Sequence, residues 1–176
     1  MKAVQASAFG DSSVLSLVEL PSSEPGPGEI RVRVHAAGVN PVEVYIRNGG
    51  YAAYEPGMPY VPGFDAAGVV DAVGAGVDCA VGDRVFVASR DTGTYAELVV
   101  ADASSVWPLP AGVSFAQGAS LGIPGLAAHR ALFERGGLKA GEQVLVHGAS
   151  GAVGYLAVQL ARAAGASVIG TAGSDE

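Results

Sequence analysis

Residues 144–154 read Val-Leu-Val-His-Gly-Ala-Ser-Gly-Ala-Val-Gly, an apolar run that breaks into glycines at Gly148, Gly151 and Gly154. An amphipathic stretch follows at once. A buried strand, a tight turn and a helix start, in that order, build a phosphate site for a dinucleotide. Glycines let the backbone turn and approach a pyrophosphate, and the helix N-terminus supplies unpaired N–H groups and a partial positive charge. The spacing is G-x-x-G-x-x-G, one residue looser than the usual fingerprint, so the flanking pattern has to agree. It does. Val153, Ala157, Leu160 and Ala164 fall on one helical face that can lie on a sheet, and Gly165 sits where a left-handed C-terminal cap belongs. Ser167–Thr171 reads as a second short strand, completing strand, helix and strand in about thirty residues, the length of a parallel crossover. A glycine-rich turn that binds nothing is the plain alternative. Three glycines at a helix start weaken the fold, however, unless something approaches them closely.

The chain stops at Glu176, after two strands of a domain type that uses five or six. A two-strand parallel unit leaves an open sheet edge and an uncovered apolar helix face. The expectation is therefore an apparently truncated nucleotide-binding domain, the N-terminal part of a longer protein, unless a second chain supplies the rest.

The 176 residues allow one or two small domains, and 49% hydrophobic with 15% charged residues is enough for a packed core. A net charge of −7 with scattered basic residues argues against nucleic acid or an anionic membrane as partner. No apolar run reaches the roughly 20 residues of a membrane span, and no early one resembles a signal peptide. A lone cysteine, Cys79, excludes an intrachain disulfide and fits a reducing compartment, so a cytoplasmic location is expected.

The first hundred residues read as β-rich, with short runs at 1–8, 14–20, 29–39, 66–73, 83–88 and 94–100 separated by turn clusters. Ile30, Val32 and Val34 alternate with Arg31, Arg33 and His35, as in a half-buried strand with a solvated His35. Such spacing suggests a barrel or sandwich. After Trp107 the pattern changes. Ser114 and Gln117 form a capping box, and a second helix with Pro124 in its first turn runs to about Arg135. The boundary between the β-rich part and the α/β part falls near 120–125.

At this point particular segments become recognisable: HAAGVNPVEVYIRNGGY (35–51), PYVPGFDAAGVV (59–70), GDRVF (82–86), QGASLGIPGLAAHRAL (117–132) and VLVHGASGAVG (144–154). In this order and spacing they resemble the zeta-crystallin-like NADPH:quinone oxidoreductases of the medium-chain dehydrogenase/reductase superfamily, across essentially the whole chain. The resemblance implies an α/β protein with a GroES-like β-barrel catalytic domain at 1–121. Residues 122–176 would be the first βαβ unit of a Rossmann domain, with the active cleft between the two. It also implies that a full-length parent forms homo-oligomers through later strands.

Zinc-dependent relatives place metal ligands where this chain has Asn40, Phe64 and Ile123. Phe lacks a lone pair and Asn is a poor zinc ligand, and His35, His129 and His147 occur singly, so no metal site is expected. Without a Lewis acid, the cofactor carries the reaction and the protein positions an electron-poor acceptor such as a quinone. The developing oxyanion needs a donor, for which Asn40, Tyr45 and Tyr51 are the candidates. In the resembled reductases these positions face the nicotinamide and substrate, and Tyr51 also matches a cofactor contact; core packing of Tyr45 is the alternative. Gly148, Ser150, Gly151, Ala152, Val153 and Gly154 match the pyrophosphate turn, and Gly173 with Ser174 the adenosine ribose region. An NAD-specific strand usually ends in a carboxylate. Here Ala172-Gly173-Ser174 leaves room for a 2′-phosphate, which favours NADPH over NADH, although Asp175 and Glu176 follow. Asp65 reads as a structural carboxylate bonded to backbone or Arg47, Arg130 as a solvated charge, and Cys79 as unreactive. Reduction of an alkenal, enone or enoyl thioester, and a non-catalytic binding or structural role, remain open beside quinone reduction.

Overall fold

The computed structural model describes residues 1–88, 91 and 93–174. They form two compact units, Met1–Gly122 and Ile123–Glu176. Asp175 and Glu176 lie outside the described residues.

In the first unit β1 (Lys2–Ala6) pairs antiparallel with β2 (Leu15–Glu19). The main sheet contains β3 (Glu29–Ala37), β4 (Asp65–Val73), β5 (Arg84–Ala88), β6 (Leu98–Asp102) and β7 (Val106–Pro108), antiparallel throughout, in the order β6-β3-β4-β5-β7. Alternation sends one residue in two to the core: Ile30 and Val32 of β3, Ala66 and Val70 of β4, Val85 and Val87 of β5, Val99 and Ala101 of β6. Each buried Val or Ile contributes about 1.5–3 kcal/mol relative to exposure. On the outer side of β3, Arg31 and Arg33 both reach Asp71 across the strand pair. Burial opposes ionisation of Asp71, but the two guanidinium groups outweigh it and hold the carboxyl below its ordinary range. His35 is exposed and its ring stacks on Phe115 at 4.4 Å.

Two departures from the sequence expectation have a physical cause. The run at 94–100 becomes a strand only from Leu98. Before that, Gly93 N and Thr94 N both donate to Gly63 O, and Tyr95 N donates to Pro62 O, so this segment is tied to the 62–63 loop. The short strand β7 carries too little pattern to stand out, and Pro108 suits its edge position against β5.

Helix α1 (Pro41–Arg47) follows β3, with Pro41 in the first turn; α2 (Phe115–Ala119) carries the expected capping box. Gln117 N donates to Ser114 Oγ at 3.2 Å and Ser114 N to Gln117 Oε1 at 2.9 Å. Helix α3 (Gly122–His129) runs on as a π-helical stretch, Arg130–Arg135, instead of the α-helix expected to Arg135. Its last carbonyls close wider than an α-turn, Ala131 O on Gly136 N and Leu132 O on Leu138 N.

The second unit is a parallel strand pair, β8 (Gln143–Val146) and β9 (Ser167–Gly170), joined through α4 (Ala152–Ala163). Gly165 is left-handed at φ +84°, and Ala166 N reaches Ala161 O, the expected C-terminal cap. The helix face is a correction. Gly154, Ala157 and Ala161 are the buried residues, whereas Val153 is 44% exposed. Small side chains let the helix approach the turn, so the buried stripe is rotated away from Val153. Val146 of β8 and Ala128, Leu132, Ala157, Ala161 and Ala166 make the core. Uncovered apolar surface lies on the opposite sheet face, where Leu145 and Ile169 stand in register, each about half exposed. Among the described residues no helix is long and apolar enough to cross a membrane.

Candidate functional site

Asn40 ends the loop after β3 and is the residue before α1. Its backbone N donates to Glu43 Oε2 at 2.9 Å, one helical turn later, and the helix start brings Glu43 inward. Both are buried, at 6% and 5% exposure. The Asn40 amide then bridges two carboxylates, with Nδ2 3.2 Å from Glu43 Oε1 and 2.8 Å from Asp65 Oδ2. Asp65, at 1% exposure, accepts from Asn40, whereas Arg47 Nε donates to Gly10 O. Two glycines wall it in. A Cβ on Gly122 would stand 2.1 Å from Asp65 Oδ1, and one on Gly38 would stand 2.8 Å from Asp65 Cβ.

Glu43 also accepts from Phe64 N at 3.3 Å and from the Tyr95 phenol. Burial first, and the hydrogen bond to Glu43 second, push the Tyr95 phenol far above its ordinary range, so it stays protonated and donates. Glu43 thus ties α1 to segments 21 and 52 residues away, and its hydrogen-bond donors among the described residues are all neutral. Sequence reasoning missed Glu43 and Tyr95. The Asn-x-x-Glu spacing at a helix start was the one local signal for Glu43, and nothing local marked Tyr95.

Tyr45 is 57% exposed on α1 and Tyr51 is 38% exposed just beyond it. Tyr45 is therefore not packed in the core of the first unit. Neither hydroxyl takes a hydrogen-bond partner among the described residues, which leaves both available as donors. Asn40 differs, since both N–H bonds of its amide are already directed at carboxylates.

In the second unit the turn between β8 and α4 is pinned from below. Gly148 N donates to Thr171 Oγ1 at 3.3 Å, His147 Nδ1 lies 3.1 Å from the same oxygen, and Ala149 N donates to Thr171 O at 2.8 Å. Gly148 is left-handed at φ +67°, and Gly151 N closes onto Gly148 O. The third glycine is required by contact, because a Cβ on Gly154 would lie 2.2 Å from Gly148 O. The first helical bond is from Tyr155 N to Gly151 O, so the N–H groups of Ala152, Val153 and Gly154 precede it and remain open at the helix start. Ser150, Gly151, Ala152 and Val153 are exposed beside them, as are Gly173 and Ser174 past β9. Such a turn can hold a phosphate anion.

The remaining candidates have ordinary surroundings. Arg130 is exposed and pairs with Glu134 at 3.5 Å. Burial, then the nearby Asp83, push the Cys79 thiol upward and away from reactivity. Among the described residues no three His, Cys, Asp or Glu side chains gather as a metal-binding group.

Residues 26–111 match the alcohol dehydrogenase GroES-like domain. The chain is 48% identical over its whole length to a quinone oxidoreductase of Rattus norvegicus, covering 54% of that protein. To a quinone oxidoreductase of Pseudomonas aeruginosa it is 41% identical over 99% of its length, again covering 54% of the relative. The crystal structure of Escherichia coli quinone oxidoreductase complexed with NADPH superposes with a TM-score of 0.87 at 37% identity, over 99% of this chain and 53% of that one. The chain thus spans about half the length of the relatives it matches. With a GroES-like domain in its first unit and this similarity end to end, it belongs to the medium-chain dehydrogenase/reductase superfamily, among the homologues of quinone oxidoreductase.

Proposed function

We propose that this chain carries the substrate-facing and pyrophosphate-binding parts of a zinc-independent, NADPH-dependent quinone oxidoreductase, with residues 1–121 as catalytic domain and 122–176 as the start of the Rossmann domain. The observation that carries the reading is the Gly148–Gly154 turn. It sets open N–H groups at a helix start, and its third glycine has no room for a side chain. Gly148, Ser150, Gly151, Ala152, Val153 and Gly154 would hold the pyrophosphate, and Gly173 and Ser174 the ribose end. When bound, NADPH supplies the reducing equivalents.

The chain's own contribution is placement and hydrogen bonding. Asn40, Tyr45 and Tyr51 are assigned to the nicotinamide and quinone side. Tyr45 and Tyr51, with unengaged hydroxyls, donate to the quinone oxygen as charge develops on it. The residue types support a reaction that uses no zinc. Phe64 has no lone pair to give, and the Asn40 amide is committed to two carboxylates. The alkenal or enone alternative uses the same donors, and no observation favours it.

The test is loss of the reduced-nicotinamide absorbance when NADPH and a para-quinone meet a protein of the relatives' full length. Turnover without added metal, unaffected by a chelator, is expected. Chelator-sensitive turnover, or none, overturns the proposal.

A further inference from the structure

We infer that Glu43 is a positioning residue that fixes which way round the Asn40 carboxamide faces, so that Asn40 meets its ligand as a hydrogen-bond acceptor and not as a donor. The identity of that ligand rests on the function proposed above; the orientation of the amide does not.

An ionised carboxylate accepts and cannot donate. Asn40 Nδ2 stands within hydrogen-bond distance of Glu43 Oε1 and of Asp65 Oδ2, at 3.2 and 2.8 Å. Reversing the amide would set its carbonyl oxygen against two carboxylates inside a buried cluster, where unmatched polar groups cost most. Glu43 has no freedom to turn aside and permit this, because Oε2 holds Asn40 N and the Tyr95 phenol while Oε1 holds Phe64 N. Its donors come from α1's own start, from the residue before Asp65 and from the 93–97 segment, so the carboxylate is clamped from three sides.

With both amide N–H bonds turned to carboxylates, the polar atom of the Asn40 side chain facing neither is Oδ1, which closes the capping box on the Glu43 backbone N–H with one lone pair and keeps the second for a ligand. An acceptor with two carboxylates behind it repels an oxyanion and suits an N–H or O–H group. The carboxamide of a nicotinamide and the hydroxyl of a reduced quinone share that chemistry. Stabilising a developing oxyanion then falls to Tyr45 and Tyr51.

The experiment is nitrogen-15 NMR of the Asn40 side-chain amide in the 176-residue chain, with Asn40→Asp used for assignment, followed by separate titrations with NADP⁺ and with para-benzohydroquinone. Both Nδ2 protons are expected to be shifted downfield and slow to exchange. Glu43→Gln, which replaces one carboxylate oxygen by a donor, should move both resonances and speed exchange. Affinity for one titrant should fall roughly tenfold in that variant, the effect of one misplaced hydrogen bond, and the titrant affected identifies the donor. Unshifted, rapidly exchanging protons in the wild-type chain overturn the inference even if the variant fails to fold. Shifted protons with both affinities unchanged in Glu43→Gln overturn the acceptor role. If the wild-type chain binds neither titrant, the acceptor role fails in this chain, the functional proposal is judged by turnover of the full-length protein, and the amide resonances still decide the positioning.

Discussion

At the Gly148–Gly154 turn the second unit offers polar groups by leaving side chains out. Around Glu43 the first unit offers them by burying side chains against one another. The turn is local: its glycines, its open N–H groups and its helix start lie within a few residues, and the hydrogen bonds that reach it from farther along the chain come from Thr171. The Glu43 cluster is assembled from segments up to 52 residues apart. The difference teaches that a backbone site is written into short stretches of chain, whereas a side-chain site depends on the whole sheet having formed first. The two should therefore fail differently when altered.

The largest effect is expected on the buried side. Glu43→Leu leaves donors of Asn40, Phe64 and Tyr95 without their acceptor, a loss of about 3–5 kcal/mol in the stability of the first unit. Urea unfolding followed by Trp107, the one tryptophan and a residue of that unit, measures it. A loss below about 1 kcal/mol would show that the cluster is not load-sharing and break the contrast.

Next comes the backbone side. Gly154→Ala places a methyl against Gly148 O and should cost about 2–3 kcal/mol in the second unit while abolishing NADPH binding. Gly173→Ala, with nothing within 4 Å of the added carbon, should leave stability within about 0.5 kcal/mol. Circular dichroism melting and calorimetric titration of the pair separate steric exclusion from general loss of glycine.

Two smaller effects lie outside both sites and sharpen the scale. The Asp71 carboxyl is lowered in the folded chain, so its contribution is complete above its unfolded value of about 4 and disappears as pH falls through the lowered folded value. Asp71→Asn should lose about 1–2 kcal/mol at neutral pH, and its unfolding curve should converge with the wild type in acid. Ser114→Ala removes the acceptor of Gln117 N at α2 and should cost about 0.5–1 kcal/mol by the same tryptophan signal.

The contrast also explains what could be read from the chain before its fold was known. Gly148 and Gly154 announce themselves because only glycine fits a left-handed turn and a 2.2 Å approach, and Gly151, extended at φ −76°, is marked by its spacing between them. The Ile30/Val32 alternation gives β3 directly, and Ser114 with Gln117 gives the start of α2. Asn40 stands out by type, but its partners do not. Asp65 and Tyr95 reach it or its neighbour Glu43 only because β4 pairs with β3 and because Gly63 O holds the 93–94 backbone, neither of which leaves a local mark. Val153 was misplaced for a related reason. Periodicity counts hydrophobicity, whereas the turn selects for smallness, and Gly154, Ala157 and Ala161 satisfy that demand.

The in-register Leu145 and Ile169 have a practical consequence for anyone handling this chain. Two branched aliphatic groups side by side on a two-stranded parallel ribbon make a sticky, flat patch. Self-association in concentrated solution should begin there, and replacing Ile169 with lysine should raise the concentration at which light scattering first increases.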